Sequence, residues 1–483
     1  MKKSSRTKLP ALVFGCLIMP LTVFCLCGCA EVPVGRSFDQ TPTMKGGMHP
    51  GQNGLLTQRE MELALIAWKY FENNYQPATG MVNAADQYPS TSMWDLASYL
   101  GGMVAALELG IIDRSQFDSR LSPLMRTLRS LSFFQDELPN KAYNTQTAEK
   151  VNYNNKPGEI GFSALDLGRL LIWLKIVKER YPEYGDDIDA FVLRWNFCKV
   201  IDRCGTMYGA VLGDNNQVRY LQEGRLGYEE YAAKGFQLWG FDTTRASLPE
   251  PYHFAQIYGI DIPYDARDPR ELGAHNYVVS ESYILDGIEL NWDLACDGSC
   301  QDLVHTDRIM PDFAGRIYRA QEERFRRTGI LTARTEHQLD GPPYFVYDTI
   351  YSDGYPWNTI SEEGKYLPQF AAMAMKAAFG LWALWQTPYT DQLFESASKL
   401  YDPEKGFYEG RFEKSGELIK AFTANNNGII LEALLYKVRG KLLRFADHRS
   451  GLWERTVESE RESGKCFQSA PKRCDDKSRQ VVQ

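Results

Sequence analysis

Residues 367–386 read LPQFAAMAMKAAFGLWALWQ, a run that is small and apolar on nearly every side. A helix at a protein surface keeps one polar face, whereas a helix that is apolar all round must be enclosed by other elements. The run therefore predicts a helix over 367–386 that lies in the interior of a helical assembly.

Other stretches with apolar residues at helical spacing lie along the rest of the chain. The first starts at a capping box, Thr57 with Glu60, and the remaining ones cover 91–109, 115–134, 162–180, 185–199, 226–240, 310–328, 388–400 and 423–438. Glycine followed by an apolar residue recurs after several of them, as at Gly329-Ile330, and glycine commonly ends a helix in the left-handed conformation. These repeats predict an all-α fold, an (α/α)6 toroid of paired helices with the Arg-rich stretches 115–134 and 310–328 outside.

Two stretches between the predicted helices indicate β-structure. Residues 206–222 predict a hairpin around Gly213-Asp214-Asn215-Asn216, and residues 254–281 predict short strands in an irregular segment. Long loops at 77–90, 136–160, 340–366 and 401–422 complete the pattern, and long loops on a rigid scaffold often carry binding sites. We expect these insertions to frame a site at one end of the ring.

Composition restricts the kind of ligand. The chain has 483 residues, and its 62 acidic side chains outnumber the 54 basic ones, which gives a net charge of −8. No basic stripe interleaved with aromatic residues occurs, so a nucleic-acid partner is not expected. Aromatic residues make up 13% and suit either a thick helical core or stacking platforms for sugar rings. We expect a neutral or mildly cationic ligand.

The N-terminus resembles that of a bacterial lipoprotein. Basic residues precede an apolar run over 9–26, and Leu26-Cys27-Gly28-Cys29 resembles a lipobox with Cys29 as the lipidated residue. A transmembrane anchor is the alternative, but Pro10 and Pro20 interrupt the run and no basic cluster follows it. Among such lipoproteins, the residue type at Ala30 implies delivery to the outer membrane, so the resemblance implies a lipid-anchored envelope protein that faces the periplasm.

The domain limits follow from this N-terminus and from changes in composition. We expect a signal peptide at 1–28, a tether rich in Pro and Gly at 29–54, a folded domain at 55–440 and a polar tail at 441–483.

Six further cysteines suggest export to an oxidising compartment. They fall into three local pairs, which predict three short-range disulfides: Cys198 with Cys204, Cys296 with Cys300, and Cys466 with Cys474. A zinc site is the alternative, but no pair has the spacing of structural zinc ligands. No nucleotide-binding or metalloprotease motif stands in a suitable context, so we expect neither a cofactor nor a metal.

With those motifs absent, carboxylates near aromatic residues are the remaining candidates for catalytic groups. One carboxylic acid and one carboxylate are the groups that cleave glycosidic bonds. In the segment 227–239, two adjacent glutamates, Glu229 and Glu230, stand between Tyr228 and Tyr231, with Trp239 further along. One interpretation makes Glu230 the general acid and the three aromatic residues candidate sugar contacts, although the pattern alone does not choose Glu230 over its neighbour. A purely structural interpretation is that Glu230 favours the helix N-terminus and pairs with Lys234.

Three other carboxylates compete for the second role. They are Asp95 beside Trp94, Glu281, and Asp353 near Tyr355 and Trp357. Each has an alternative: Asp95 suits a first helical turn, most acids near Glu281 must be solvated, and Asp353-Gly354 also suits a plain turn. Asn426 is a candidate sugar contact from a cluster of three asparagines that can equally cap a helix. Arg225, Arg245 and Lys376 could orient the carboxylates.

Three segments carry a family resemblance: 228–241, 347–360 and 423–432. Here the chain resembles exported bacterial lipoproteins that share an uncharacterised helical domain. It is also distantly similar to the (α/α)6-barrel glucanases of the glucoamylase-like group, including those that cut β-1,2-glucan. That similarity implies a glycoside hydrolase with Glu230 as acid, and it leaves the base open among Asp95, Glu281 and Asp353.

The resulting hypothesis is an inverting glucan hydrolase. Such an enzyme would hold its two carboxyl groups about 6.5–9.5 Å apart, with a water between them. A catalytically silent lipoprotein that binds a polysaccharide or assists envelope assembly is the alternative from another class. A polysaccharide lyase is a third, which the acidic net charge disfavours.

Overall fold

A computed structural model describes residues 51–202, 204–213, 215–223, 225–249, 251–267, 276–297, 305–445 and 451–460. All of them belong to one unit, residues 42–483. The described helices are α1 Gln58–Asn73, α2 Met93–Glu108, α3 Arg114–Ser130, α4 Ala164–Arg180, α5 Gly185–Val192, α6 Tyr228–Leu238, α7 Glu281–Leu290, α8 Met310–Thr328, α9 Met375–Leu384, α10 Pro388–Ala397, α11 Ala424–Arg439 and α12 Leu452–Glu460. The predicted signal peptide, Cys29, most of the tether, Cys300, Cys466 and Cys474 lie outside the described residues.

Six of these helices contact one another in a cycle. Helix α2 packs against α4, α4 against α6, α6 against α7, α7 against α9, α9 against α11, and α11 against α2 again. Every residue of α7 and of α9 is buried, as expected for helices that are surrounded on all sides. We call α2, α4, α6, α7, α9 and α11 the inner helices.

The other helices pack outside this cycle. Helix α1 contacts α11 and α2, α3 contacts α5 and α2, α8 contacts α7, and α10 contacts α9. Helix α8 keeps the Arg-rich polar face predicted for an outer helix, and Gly329 ends it in the left-handed conformation at φ +71°. Inner and outer helices therefore alternate along most of the described chain.

Two inner helices approach each other closely at glycines. A Cβ on Gly168 of α4 would lie 2.5 Å from the carbonyl oxygen of Ala232 in α6, and one on Gly235 of α6 would lie 2.0 Å from the oxygen of Gly168. Only residues without a side chain allow this contact, in which backbones touch. These glycines therefore set the distance between α4 and α6.

Short antiparallel strands occupy the connections. Their bounds are β1 Ser90–Ser92, β2 Ala142–Asn144, β3 Gly161–Phe162, β4 Gly209–Leu212, β5 Val218–Leu221, β6 Tyr252–Ile257, β7 Ile260–Asp265, β8 His337–Gln338, β9 Phe345–Asp348, β10 Tyr351–Ser352, β11 Tyr355–Pro356, β12 Thr359–Ile360, β13 Ala372–Ala374, β14 Tyr401–Asp402, β15 Gly406–Phe407, β16 Gly410–Phe412 and β17 Leu418–Ile419. The sheets pair as β1-β2, β3-β4-β5, β6-β7, β12-β9-β8, β10-β11, β13-β16-β17 and β14-β15. Strands β1 and β13 run directly into α2 and α9, so these sheets lie where inner helices begin.

The sequence prediction was wrong at the boundaries of two helices and missed a third helix. The helix predicted over 367–386 begins only at Met375, because residues 368–370 form a 3-10 turn and strand β13 pairs with β16 in the register Ala372 to Phe412. The stretch 185–199 is helical only to Val192 and ends in a separate 3-10 turn. Helix α7 was not predicted, because its region was interpreted as strands and solvated carboxylates.

Other expectations are confirmed. The hairpin predicted over 206–222 is formed by β4 and β5, and the pair β6-β7 supplies the strands expected after residue 254. The fold is helical with small sheets, although the sheets are more numerous than the two insertions that we predicted.

The chain continues to pack beyond residue 440. Trp453 of α12 is 5% exposed and packs edge-on against Trp239, with 5.0 Å between the ring centroids. Cys198, Cys204 and Cys296 are disulfide-bonded, whereas the three pairings stay predictions. Among the described residues, no helix is both long and apolar enough to cross a bilayer.

Candidate active site

The first turns of four inner helices meet at one carboxylate, that of Glu281 at the start of α7. Oε1 of Glu281 accepts hydrogen bonds from Nε1 of Trp94 at 3.1 Å and from Nδ2 of Asn425 at 2.8 Å. Oε2 forms an ion pair with Nζ of Lys376. Trp94, Lys376 and Asn425 begin α2, α9 and α11, so contact between the inner helices brings them together.

These partners decide the charge of Glu281. Its side chain is 1% exposed, and such burial alone would raise its pKa. The ammonium of Lys376, the guanidinium of Arg169 and the amide of Asn425 together outweigh burial, so the pKa of Glu281 is lowered and the group is ionised at neutral pH. Burial of Lys376 is likewise outweighed by Glu281, and the pKa of Lys376 is raised.

A second carboxylate, Glu336, stands beside this centre, and its pKa is shifted in the opposite direction. Its Oε1 accepts a hydrogen bond from the hydroxyl of Tyr228, while its Oε2 is buried without a hydrogen-bond partner. Burial and the nearby charge of Glu281 raise the pKa of Glu336, although Lys376 and Arg225 oppose that shift. The site thus holds one carboxylate whose pKa is lowered and one whose pKa is raised.

Aromatic rings connect the two carboxylates. The ring of Trp94 lies 5.6 Å from that of Tyr228 and 6.2 Å from that of Tyr231, centroid to centroid. Trp94 is half-buried, whereas both tyrosines are buried. The guanidinium of Arg225 stacks over Tyr228 at 5.0 Å. Rings of this kind can stack against the faces of sugars.

A fully buried layer supports the site from the inside. Arg169 of α4 donates to Ser98 and Asn425, each at 2.8 Å, and its guanidinium lies 4.7 Å from the ring of Trp94. It also pairs with Glu432 at 3.3 Å and Glu289 at 3.7 Å. Burial raises the pKa of both glutamates.

Two further acids begin inner helices. Asp95 of α2 accepts a hydrogen bond from the hydroxyl of Ser92 at 2.6 Å, and Asp166 of α4 accepts one from Ser163 at 3.2 Å. Burial raises the pKa of Asp95. Burial and the neighbouring Glu223 raise the pKa of Asp166 to about 7. Asp95 therefore makes the contacts expected of an acid in the first turn of a helix, which is its structural interpretation. It is also the residue next to Trp94 in the chain.

Glu230 makes contacts that belong to its own helix. Its Oε2 accepts a hydrogen bond from the backbone N–H of Gly227 at 2.6 Å, which caps α6, and the side chain is buried. Gly227 has φ +97°, and a Cβ there would lie 2.6 Å from Oγ of Ser282. Burial and the adjacent Glu229 raise the pKa of Glu230 well above its usual range. The partner expected by pattern, Lys234, instead pairs with Asp286 at 2.8 Å.

The remaining predicted residues lie apart from the Glu281 contacts. Asp353 and Tyr355 are exposed at the turn between β10 and β11, and Trp357 packs against the guanidinium of Arg324 at 4.7 Å. Trp239 is buried at the far end of α6, where its Nε1 donates to the carbonyl of Leu171 at 3.0 Å. Asn426 is buried and donates to the carbonyl of Tyr408 at 2.9 Å, so it holds a loop in place.

Sequence reasoning missed Glu336, Asn425 and Arg169. Asn425 lies one residue from the chosen Asn426, and a rotation of about 100° per residue places the two amides on different sides of α11. Glu336 precedes a two-residue strand without a distinctive motif, so no signal in the sequence marked it. Across the described residues, no group of three or more His, Cys, Asp or Glu could hold a metal ion.

Comparisons with known proteins agree with this fold. Residues 62–440 match the model of a family described as a protein of unknown function, DUF3131, and the chain belongs to that family. Comparison with curated proteins gives no match.

Solved structures with the same fold come from carbohydrate-active proteins. The endo-β-1,2-glucanase of Chitinophaga pinensis, in complex with sophorotriose and glucose, is 12% identical with a TM-score of 0.55, over 80% of this chain and 94% of its own. A candidate glucoamylase of Bacteroides uniformis is 10% identical with a TM-score of 0.56, over 80% and 93%. An endo-β-1,2-glucanase mutant of Talaromyces funiculosus, bound to β-1,2-glucan, is 11% identical with a TM-score of 0.50, over 85% and 87%. At these identities the likeness concerns the fold.

Proposed function

We propose that this protein is a glycoside hydrolase that cleaves a glucan, with an (α/α)6 barrel formed by the inner and outer helices. The observation that carries the proposal is that the pKa values of Glu281 and Glu336 are shifted in opposite directions beside shared aromatic rings. Glycosidic cleavage needs one group that gives a proton to the leaving oxygen and one that accepts a proton from water.

The roles follow from the two environments. Glu336 is the proposed acid, because burial and the charge of Glu281 raise its pKa and one of its carboxyl oxygens has no hydrogen-bond partner. Glu281 is the proposed base, because Lys376 holds it ionised. Trp94, whose ring is half-buried, stacks against the sugar, and the buried Tyr228 supports that ring. Glu230 was the acid implied by resemblance, and the contact between Glu230 and its own helix N-terminus favours Glu336 in its place.

The β-1,2-linked glucans are the proposed substrates, since glucanases of that specificity share the fold. We propose inversion at the anomeric carbon, with a water between the two carboxyl groups. The test is incubation with linear β-1,2-, β-1,3-, β-1,4- and α-1,4-glucans, with reducing ends measured over time. NMR of the first product identifies its anomer, and a retained configuration would exclude the inverting mechanism.

Variants of three glutamates test the assignment of roles. Glu281→Gln and Glu336→Gln should each lower kcat at least a hundredfold, the scale on which general acid or base groups act. Glu230→Gln is the matched control, because it keeps an acceptor oxygen for Gly227, and it should retain activity. Loss of activity in Glu230→Gln alone would restore Glu230 as the acid.

A second candidate function is polysaccharide binding without cleavage. It is favoured by the partners of Glu281, because its carboxylate is already bound by Trp94, Asn425 and Lys376, as in an ion pair with a structural role. Binding of a glucan in calorimetry, with no new reducing ends from any polymer in the panel, would establish it.

We also propose that a lipid on Cys29 anchors the protein to the outer membrane, facing the periplasm. The lipobox-like sequence Leu26-Cys27-Gly28-Cys29 supports this. Cys29→Ala should abolish labelling by a palmitate analogue and release the protein from sedimented membranes. Labelling that persists in Cys29→Ala would exclude the anchor at this position.

A further inference from the structure

The amide of Asn425 has an orientation that its neighbours decide. An arginine side chain only donates hydrogen bonds, and an ionised carboxylate only accepts them. Arg169 points at Oδ1 of Asn425 from 2.8 Å, and Ser98 donates to the same oxygen at 2.9 Å. The NH₂ group of Asn425 therefore has to face Glu281, where it lies 2.8 Å from Oε1.

Arg169 is held rigidly for this task. Its side chain is fully buried, and its guanidinium lies between the carboxylates of Glu289 and Glu432. Glu289 is in turn fixed by Nε1 of Trp173 at 2.8 Å and by the hydroxyl of Tyr231. The guanidinium also supports the ring of Trp94, which is the other donor to Oε1 of Glu281.

We propose that Arg169 is a positioning residue for Glu281, which acts by locking the Asn425 amide with its donor toward that carboxylate. The proposal rests on the proposed function for its catalytic meaning, because it assigns Arg169 the task of keeping the base ready. It does not require Arg169 to touch the substrate. If Asn425 were free to flip, its oxygen would face Glu281 and repel the ionised form.

Several charged or titratable groups face Glu281 and contribute to its titration. They come from every element packed around it: Lys376 of α9, Arg169 of α4, Glu432 of α11, Tyr228 of α6, Glu336 before β8 and Glu409 before β16. The test must therefore separate the charge of Arg169 from its geometry. Arg169→Lys does so, because lysine keeps the positive charge but lacks the planar, multidentate head.

The measurement is the titration of Glu281, followed by NMR of ¹³C-labelled glutamate carboxyls and assigned by difference from Glu281→Gln. Arg169→Lys should raise the midpoint by about one pH unit, and Asn425→Ala should raise it similarly, since each removes hydrogen bonding to the charged form. In the double variant the effect of Arg169→Lys should fall by at least half, because Arg169 acts through Asn425.

Two outcomes would overturn the proposal. One is an unchanged midpoint in Arg169→Lys, and the other is full additivity of the two shifts. Ser98→Ala is a comparison variant, because it removes a donor to Asn425 and an acceptor for Arg169 but leaves the contact between Arg169 and Asn425, and its midpoint should stay near the wild-type value.

Activity supplies a separate readout. If the wild type cleaves a glucan, Arg169→Lys should shift the acidic limb of the kcat/KM profile to higher pH, by the same number of pH units as the NMR midpoint. An inactive wild type would contradict the proposed function alone, since the NMR titration reports on Arg169 without turnover. A variant that unfolds is recognised by circular dichroism, and the Asn425→Ala midpoint then decides, because an unchanged value would exclude the amide as the route.

Discussion

The indole N–H of Trp94 donates to the carboxylate of Glu281 across 3.1 Å, so the first turn of α2 is tied to the first turn of α7. The two residues are 187 positions apart in the chain. Their contact exists because both helices belong to the inner cycle and begin at the same place. A carboxylate supplied by one helix is thus oriented by donors from others, which is how a rigid scaffold prepares a site before any ligand arrives.

Removal of Lys376 should be costly for stability. Lys376→Met leaves the buried carboxylate of Glu281 without its cation, and breaking a buried ion pair from one side typically costs about 3–5 kcal/mol. Urea unfolding measures the loss. The double variant Lys376→Met with Glu281→Gln should recover part of it, because no unpaired charge then remains.

Lys399→Met is the control for that experiment. Lys399 pairs with Glu395 at the surface, where both side chains are more than 60% exposed, so the free energy of unfolding should change by less than about 0.5 kcal/mol. A similar loss in the two lysine variants would contradict the importance of the buried pair.

Asp166 should make the protein less stable as the pH rises. Its pKa in the folded protein is about 7, above the value of about 3.9 for an unfolded chain. Between about pH 4 and pH 7 the folded state therefore keeps a proton that the unfolded state has already lost. The free energy of unfolding falls as the pH rises across that range. Asp166→Asn should stabilise the protein at pH 8 by on the order of 1–2 kcal/mol, with little gain at pH 4.

Urea unfolding at both pH values checks this expectation. Asp187→Asn is the comparison, because Asp187 pairs with Arg129 at the surface. A gain in Asp166→Asn that is equal at pH 4 and pH 8 would show that the folded-state pKa is not raised.

Gly168 and Gly315 should respond oppositely to alanine. A Cβ on Gly168 would meet the backbone of α6 at 2.5 Å, so Gly168→Ala should destabilise the protein by about 1–3 kcal/mol. A Cβ on Gly315, inside α8, would meet nothing within 4 Å, so Gly315→Ala should stabilise by about 0.5–1 kcal/mol. Thermal unfolding compares the two, and two changes of the same sign would contradict the close approach of α4 and α6.

The segment after residue 440 should matter for stability. Trp453 packs against Trp239, Phe197 and Phe241, and its backbone N–H donates to Asp189 at 2.9 Å. Trp453→Ala should cost about 3–5 kcal/mol, as expected for a buried aromatic side chain. As an independent measure, a protease should cleave the Trp453→Ala variant faster than the wild type at a fixed temperature. If the variant resists the protease as well as the wild type does, α12 is dispensable for stability.

Helical periodicity predicted most of the inner helices. The predicted stretches 226–240 and 423–438 correspond to α6 and α11 within about two residues at each end. The secondary structure of the run 367–386 was harder to predict, because an apolar run is equally compatible with a buried helix and with a buried strand. Pairing of Ala372 with Phe412 decides that its first part is a strand, and such a partner cannot be seen locally.

Helix α7 was not predicted from the sequence, for a different reason. It is fully buried although it carries Glu281, Asp286 and Glu289, and charged residues ordinarily indicate a solvated face. Each acid is matched by a partner from another helix, as Asp286 is by Lys234. Sequence patterns show the acids but not most of their partners. The predicted site contained Trp94, Tyr228, Tyr231 and Glu281, with Lys376 among the cations that could orient the carboxylates, but it lacked Asn425 and Arg169.

The backbone contact between Gly168 and Gly235 has an evolutionary consequence. Where two helices already touch without side chains, neither can move inward, and any larger residue forces them apart. Under the proposed function, adaptation to a wider or narrower glucan would therefore have little freedom in the helical frame at this point. It must proceed by rebuilding the strands and loops at the helix starts, so relatives with different preferences should diverge there first.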